Sequence, residues 1–124
     1  MSDVSVKQIE DVDHYKGQNA IPGIRFRPAG RALGLSAWGM NVIEIDPGCE
    51  GYPEHDHHKD GQEECYVVLR GSATLRAEGR EQELKPGAMV RVPPHVKRKW
   101  LPGAAGVTLL ALGATPGKAY EPRR

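Results

Sequence analysis

The sequence predicts a nearly all-β domain, a sandwich or small barrel of short strands. Three observations point there. Glycine and proline supply 15 and 10 of the 124 residues, a share well above the roughly 12% usual in soluble proteins, and both interrupt helices. Short apolar runs alternate with frequent turn signals, as in sandwiches and small barrels. No long stretch carries a helical period. A chain of 124 residues with 39% hydrophobic and 27% charged side chains can bury a core, and it is sized for one domain.

In chain order, residues 1–23 are the least patterned and are expected to form an N-terminal arm or an edge strand. The barrel proper is expected over 24–118, with 119–124 as a C-terminal tail. Its apolar runs are 24–26, 37–45, 65–69, 73–77, 88–92, 96–101 and 107–112. Between them stand Pro47-Gly48, Gly71-Ser72, Glu78-Gly79, Pro86-Gly87, Pro93-Pro94 and Pro102-Gly103. Pro-Gly suits a type II turn, because Pro presets φ and Gly accepts a positive one. Trp38, Met40 and Trp100 are candidates for a pocket lining or for plain core.

Charge and cysteine usage exclude several classes of function. With 17 basic and 16 acidic residues the net charge is +1, so no bulk field draws nucleic acid or an anionic membrane. The first fifteen residues are polar and acidic, without the apolar region of a signal peptide. The longest apolar stretch, 107–114, is interrupted by Thr108 and Gly113 and is far too short to span a bilayer. Two cysteines, Cys49 and Cys65, make no disulfide framework. A cytoplasmic protein is expected, with a small-molecule ligand and no nucleic-acid or membrane partner.

The chemistry concentrates in residues 53–71, PEHDHHKDGQEECYVVLRG. On a strand His55 and His57 point to one side. With one carboxylate from a neighbouring strand they form a set of two neutral imidazoles and an anionic oxygen, suited to Fe(II), Mn, Ni or Zn. The alternative is a solvated, His-rich loop that holds nothing. His58 faces away from His57 on a strand, although in a loop it is able to replace either neighbour. His14 is expected to be exposed, and His95 to be a turn residue after Pro93-Pro94. No Gly-rich phosphate loop, nucleophile elbow or Ser/His/Asp arrangement is visible.

The order Pro47-Gly48, His55-x-His57, Glu64, six residues, Gly71, and then Pro86-Gly87, five residues, Pro93 resembles the two motifs of the cupin superfamily. Within it the chain is most similar to small, single-domain, RmlC-like members. The resemblance covers roughly residues 35–112 and implies a double-stranded β-helix, or jelly-roll, barrel. It also implies a metal site of His55, His57 and Glu64, and a partner chain that covers a sheet edge, hence a homodimer. Six residues separate Gly48 from His55 where the family has five, and six separate His57 from Glu64 where it has three or four. Both insertions fall in expected loops, where added length costs little. Glu64 is preferred to Glu63 because it keeps the spacing to Gly71 and shares a strand face with Tyr66 and Val68.

The second motif is degenerate. His95 stands where the family has Gly, Arg98 stands at its fourth-ligand histidine, and Pro102 replaces its Asn. Alternation in Val96-Lys97-Arg98-Lys99-Trp100 places Arg98 inside with Val96 and Trp100, against the alternative of a basic surface patch. A guanidinium has no acceptor and binds no metal. It is able to pair with Glu64 or to hold an anionic substrate group. Arg98, Tyr66 and Trp100 are therefore the candidate substrate-binding residues; no catalytic residue is assigned. Two functions remain open: a divalent-metal-dependent oxygenase or isomerase acting on a small anionic molecule, and a non-catalytic binding or sensing barrel in which Arg98 neutralises Glu64.

Overall fold

The computed structural model describes residues 3–122; the extreme ends of the expected arm and tail, residues 1–2 and 123–124, lie outside the described residues. Among the described residues six strands and one short α-helix form in the order β1 (Ile24–Arg27), α1 (Ala29–Leu33), β2 (Gly39–Ile45), β3 (Glu63–Ala77), β4 (Arg80–Leu84), β5 (Met89–Val92) and β6 (Arg98–Ala114). Every pairing is antiparallel, in the sheet order β1-β2-β6-β3-β4, with β5 also on β3. This is the all-β barrel that the turn rhythm predicts, in the jelly-roll form that the resemblance implies.

Two long strands carry the architecture. The first half of β3 lies between β5 and the end of β6, and its second half lies between β4 and the start of β6. Gly71-Ser72 and Pro102-Gly103, read from sequence as turns, sit instead inside these strands. The ladder shifts register between Val68 and Arg70 and again between Gly71 and Ala73. Such irregularities bend a strand from one sheet of a barrel to the other. Gly71 serves the crossing in a second way: its φ is +72°, and a Cβ there would stand 2.1 Å from the carbonyl oxygen of Gly106.

The core collects the inward alternating residues, among them Ile43, Ile45, Val68, Leu75, Val92, Val107 and Leu109. The largest wholly enclosed side chains are Trp100, Arg98 and Tyr66. Trp38 lies outside the core, being 44% exposed. His14, expected at the surface, is half-buried.

Among residues 3–23 no strand forms. A single 3-10 turn at Ile9–Asp11 precedes the buried Val12, whose carbonyl accepts a 2.7 Å hydrogen bond from Arg27 Nη1. Further along, the Tyr15 amide donates to the Phe26 carbonyl at 2.7 Å. Behind β1, Oε1 of Glu44 on β2 accepts from Arg25 Nε at 2.9 Å and Arg27 Nε at 3.0 Å.

Candidate metal centre

The histidine segment is held against β6 by main-chain bonds. His55 forms an antiparallel bridge with Arg98: each amide donates to the other's carbonyl, at 3.2 Å and 2.9 Å. The His57 amide donates to the Pro94 carbonyl at 2.8 Å. Lys99 fastens the chain just upstream, its Nζ donating to the carbonyls of Glu50 at 2.8 Å and Tyr52 at 2.6 Å. These bonds leave the rings of His55 and His57 beside one another, 5.1 Å apart and edge to face.

Glu64 comes from the start of β3, on the face it shares with Tyr66 and Val68. The neighbouring Glu63 turns the other way and pairs with Arg91. One donor atom from each of His55, His57 and Glu64 lies within 4.8 Å of the others, and all three residues are half-buried. His58 is exposed and outside the cluster, its amide donating to Asp56 Oδ1.

Hydrogen bonds assign the imidazole nitrogens. His55 Nδ1 is 2.9 Å from the Pro53 carbonyl, which can only accept, so Nδ1 carries the proton and Nε2 is left as a donor to metal. His57 Nδ1 lies 3.1 Å and 3.2 Å from the two Asp60 oxygens, which can only accept, so Nδ1 donates to them and Nε2 is the nitrogen turned to the cluster. Its Nε2 is buried without a hydrogen-bond partner, although Glu64 Oε1 approaches to 3.2 Å. Two imidazoles and a carboxylate whose donor atoms converge in this way fit a divalent cation, by donor chemistry and by position.

The electrostatics favour an anionic Glu64. Burial pushes its carboxyl upward, but His57, the hydroxyl of Tyr66 and the charge of Arg98 outweigh it and hold the group below the ordinary carboxylate range. The Glu64 carboxylate in turn lifts His57 above the usual imidazole range; burial opposes this and Asp60 adds to it. Tyr66 donates to Glu64 Oε1 at 2.6 Å, and its hydroxyl lies 3.3 Å from that of Tyr52. Burial pushes Tyr52 up to about 12 and Tyr66 higher still, so both stay neutral hydrogen-bonding groups.

Arg98 faces inward, as the alternation predicts, and is wholly enclosed, as is Trp100, with Tyr66 1% exposed. Its Nη1 and Nη2 each donate at 3.3 Å, to the carbonyls of His55 and Pro93, while Nε has no partner. The three residues read from sequence as substrate-binding thus form the wall behind the ligands. The open cleft, about 360 Å³, is bounded by His55, His57, Lys59, Asp60 and Lys97 among others. Sequence reasoning assigned neither Asp60 nor Lys97 to the site: a loop carboxylate carries no periodic signal, and the alternation that turns Lys97 outward does not show what it borders.

The family profile described as "Cupin domain" matches residues 41–110. No curated protein sequence matches the chain significantly. Among solved structures, a cupin-superfamily sugar phosphate isomerase from Silicibacter pomeroyi aligns at 23% identity and TM-score 0.75, covering 88% of this chain and 75% of that one. A protein with a provisional sugar phosphate isomerase assignment, from Acidithiobacillus ferrooxidans, aligns at 28% identity and TM-score 0.70, covering 87% and 73%. The cupin domain of an XRE family transcriptional regulator from Enterobacter cloacae aligns at 20% identity and TM-score 0.65, covering 76% and 98%. With the profile spanning more than half of the chain and the barrel, strand order and histidine cluster all in agreement, this chain belongs to the cupin family.

Proposed function

We propose that the protein is a divalent-metal-dependent enzyme acting on a small anionic organic molecule, of the isomerase or oxygenase type. The observation that carries this is the convergence of one donor atom each from His55, His57 and Glu64 within 4.8 Å, with Nε2 of His57 buried beside Glu64. His55, His57 and Glu64 would hold the metal, and Fe, Mn, Ni and Zn all suit that set. A bound divalent cation supplies Lewis-acid polarisation of a substrate oxygen. The isomerase type is the better supported of the two, because the structure 28% identical to this chain carries that provisional assignment.

The roles of the surrounding residues follow from their placement. Tyr66 holds one oxygen of Glu64 by its 2.6 Å hydrogen bond and so orients the carboxylate. Arg98 acts on an anionic ligand through its charge rather than by contact, because its guanidinium is enclosed. Trp100 packs on Tyr66, ring centroids 5.3 Å apart, and keeps water from that wall. Lys59 and Lys97 stand at the cleft mouth, where an anionic group first arrives.

The proposal extends to assembly and location. The strand β1 ends the sheet on one side and carries Phe26 at 38% exposure, so a second copy would cover it in a homodimer. Cys49 and Cys65 are both unpaired, which suits the cytoplasm. Among the described residues no helix is long and apolar enough to cross a membrane.

The second reading, a metal-free binding or sensing barrel, is favoured by the approach of Arg98 Nη1 to Glu64 Oε1 at 3.9 Å. Elemental analysis of untagged protein, reconstituted in turn with Fe, Mn, Ni, Co and Zn, separates the two. One equivalent per chain supports the enzyme; content far below one equivalent with every metal leaves the binding barrel.

A further inference from the structure

The chain between His57 and Glu64 folds back on itself. The Gly61 amide donates to the His57 carbonyl at 2.7 Å, and Gly61 takes a φ of +70° to make the reversal. Thr115, just past the end of β6, fastens this turn from outside, its Oγ1 donating to the Asp60 carbonyl at 2.8 Å. Oδ1 of Asp60 accepts from the Gln62 amide at 3.1 Å, which sets the rotation of the side chain. The carboxylate is thereby aimed back along the turn at Nδ1 of His57.

The two histidines consequently differ in what stands behind them. His55 has a neutral carbonyl, that of Pro53, whereas His57 has a full carboxylate. An imidazole free in water prefers its proton on Nε2, the nitrogen this site needs bare. A carboxylate held at Nδ1 reverses that preference, fixes the ring plane and makes Nε2 a stronger donor.

We propose that Asp60 is a positioning residue of the metal centre, which locks His57 in the Nδ1–H tautomer and makes it the anchoring ligand. This rests on the metal-binding reading of His55, His57 and Glu64. It assigns a purpose to the long turn: six residues between His57 and Glu64 are enough to bring a carboxylate back to the first of them.

The test compares wild type with Asp60→Ala, Asp60→Asn and Thr115→Val. Nitrogen-15 NMR of the metal-free proteins reads the His57 tautomer, and competition titration with Zn(II) and Co(II) reads affinity. Asp60→Ala is expected to move His57 toward the Nε2–H form and to weaken both metals by roughly tenfold to a hundredfold. Asp60→Asn keeps an acceptor at the same place, so it should retain the tautomer and lose less affinity. Thr115→Val removes only the outer fastening and should bind nearly as wild type. Undiminished affinity or an unchanged tautomer in Asp60→Ala, or an equal loss in Thr115→Val, would overturn the proposal while the metal site stands. A wild-type chain that takes up neither metal would overturn both.

Discussion

Nη1 of Arg98 stands 3.9 Å from Oε1 of Glu64, one end of a contact enclosed by the barrel wall. The guanidinium donates its hydrogen bonds to carbonyls, those of His55 and Pro93, and meets the carboxylate only at the longer distance. Glu64 therefore remains available to a cation, but its affinity is lowered by a fixed positive charge nearby.

Replacing that charge by a donor should strengthen the site. Arg98→His is expected to tighten Zn(II) or Mn(II) binding by more than about tenfold, or about 1.4 kcal/mol. The metal-free variant should melt at a lower temperature than wild type, because two hydrogen bonds and the volume of a buried side chain are lost. Competition titration and calorimetry check the two effects separately. Unchanged or weaker binding would mean that Arg98 does not oppose the cation.

Protons and metal compete for the same two imidazole nitrogens. Because the Glu64 carboxylate makes His57 hold a proton more tightly than an ordinary imidazole, metal and the thermal stability it confers should be lost as pH falls from about 7.5 to about 5.5. Melting curves with and without EDTA should differ at the upper end of that interval and merge at the lower. Superimposable curves throughout would reject the metalloprotein and favour the binding barrel.

Gly71 is where the barrel has least room. Gly71→Ala would force a Cβ to within 2.1 Å of the Gly106 carbonyl oxygen at a φ of +72°. A cost above about 3 kcal/mol is expected from the strained conformation and the backbone displacement together. Gly79→Ala, also at positive φ but with open space around it, is the control and should cost much less. Equal losses in urea denaturation would show that the crossing is looser than described.

Glu44 gives an acid-sensitive contribution away from the metal centre. Burial raises its carboxyl, but the hydrogen bonds from Arg25 and Arg27 outweigh this and hold it below the ordinary range. A group depressed in the folded state adds stability above its unfolded pKa, and that stability is lost as pH falls through the folded one. Glu44→Gln should therefore cost on the order of 1 kcal/mol at neutral pH and flatten the decline on the acid side. Melting temperature against pH for the two proteins checks this.

Alternation made Arg98 legible, because Val96 and Trp100 mark its face and the two lysines mark the other. The same logic preferred Glu64 to Glu63, and the structure divides them between the cluster and a surface pair with Arg91. Strand β4 went unread, since Arg80-Glu81-Gln82-Glu83 has no apolar face; it exists because the Glu78-Gly79 turn lays it beside β3. The helix α1 is only five residues long, too few to show a period. Gly71-Ser72 looks like a turn because glycine serves reversals and close crossings alike, and no local pattern distinguishes a strand that yields to another strand. Asp60 is hidden for a related reason: its partner is reached through a turn, and a turn has no face.

The grip of Lys99 and Arg98 on residues 50–55 bears on the order in which the molecule assembles. His55 and His57 adopt their positions only when that segment lies along β6, which follows His55 by 43 residues. Until β6 is in place, the segment that carries the imidazoles lacks the main-chain bonds that hold it. A cation thus meets a finished cage rather than a nucleus, and in stopped-flow experiments added metal should slow unfolding while leaving the refolding rate as it is.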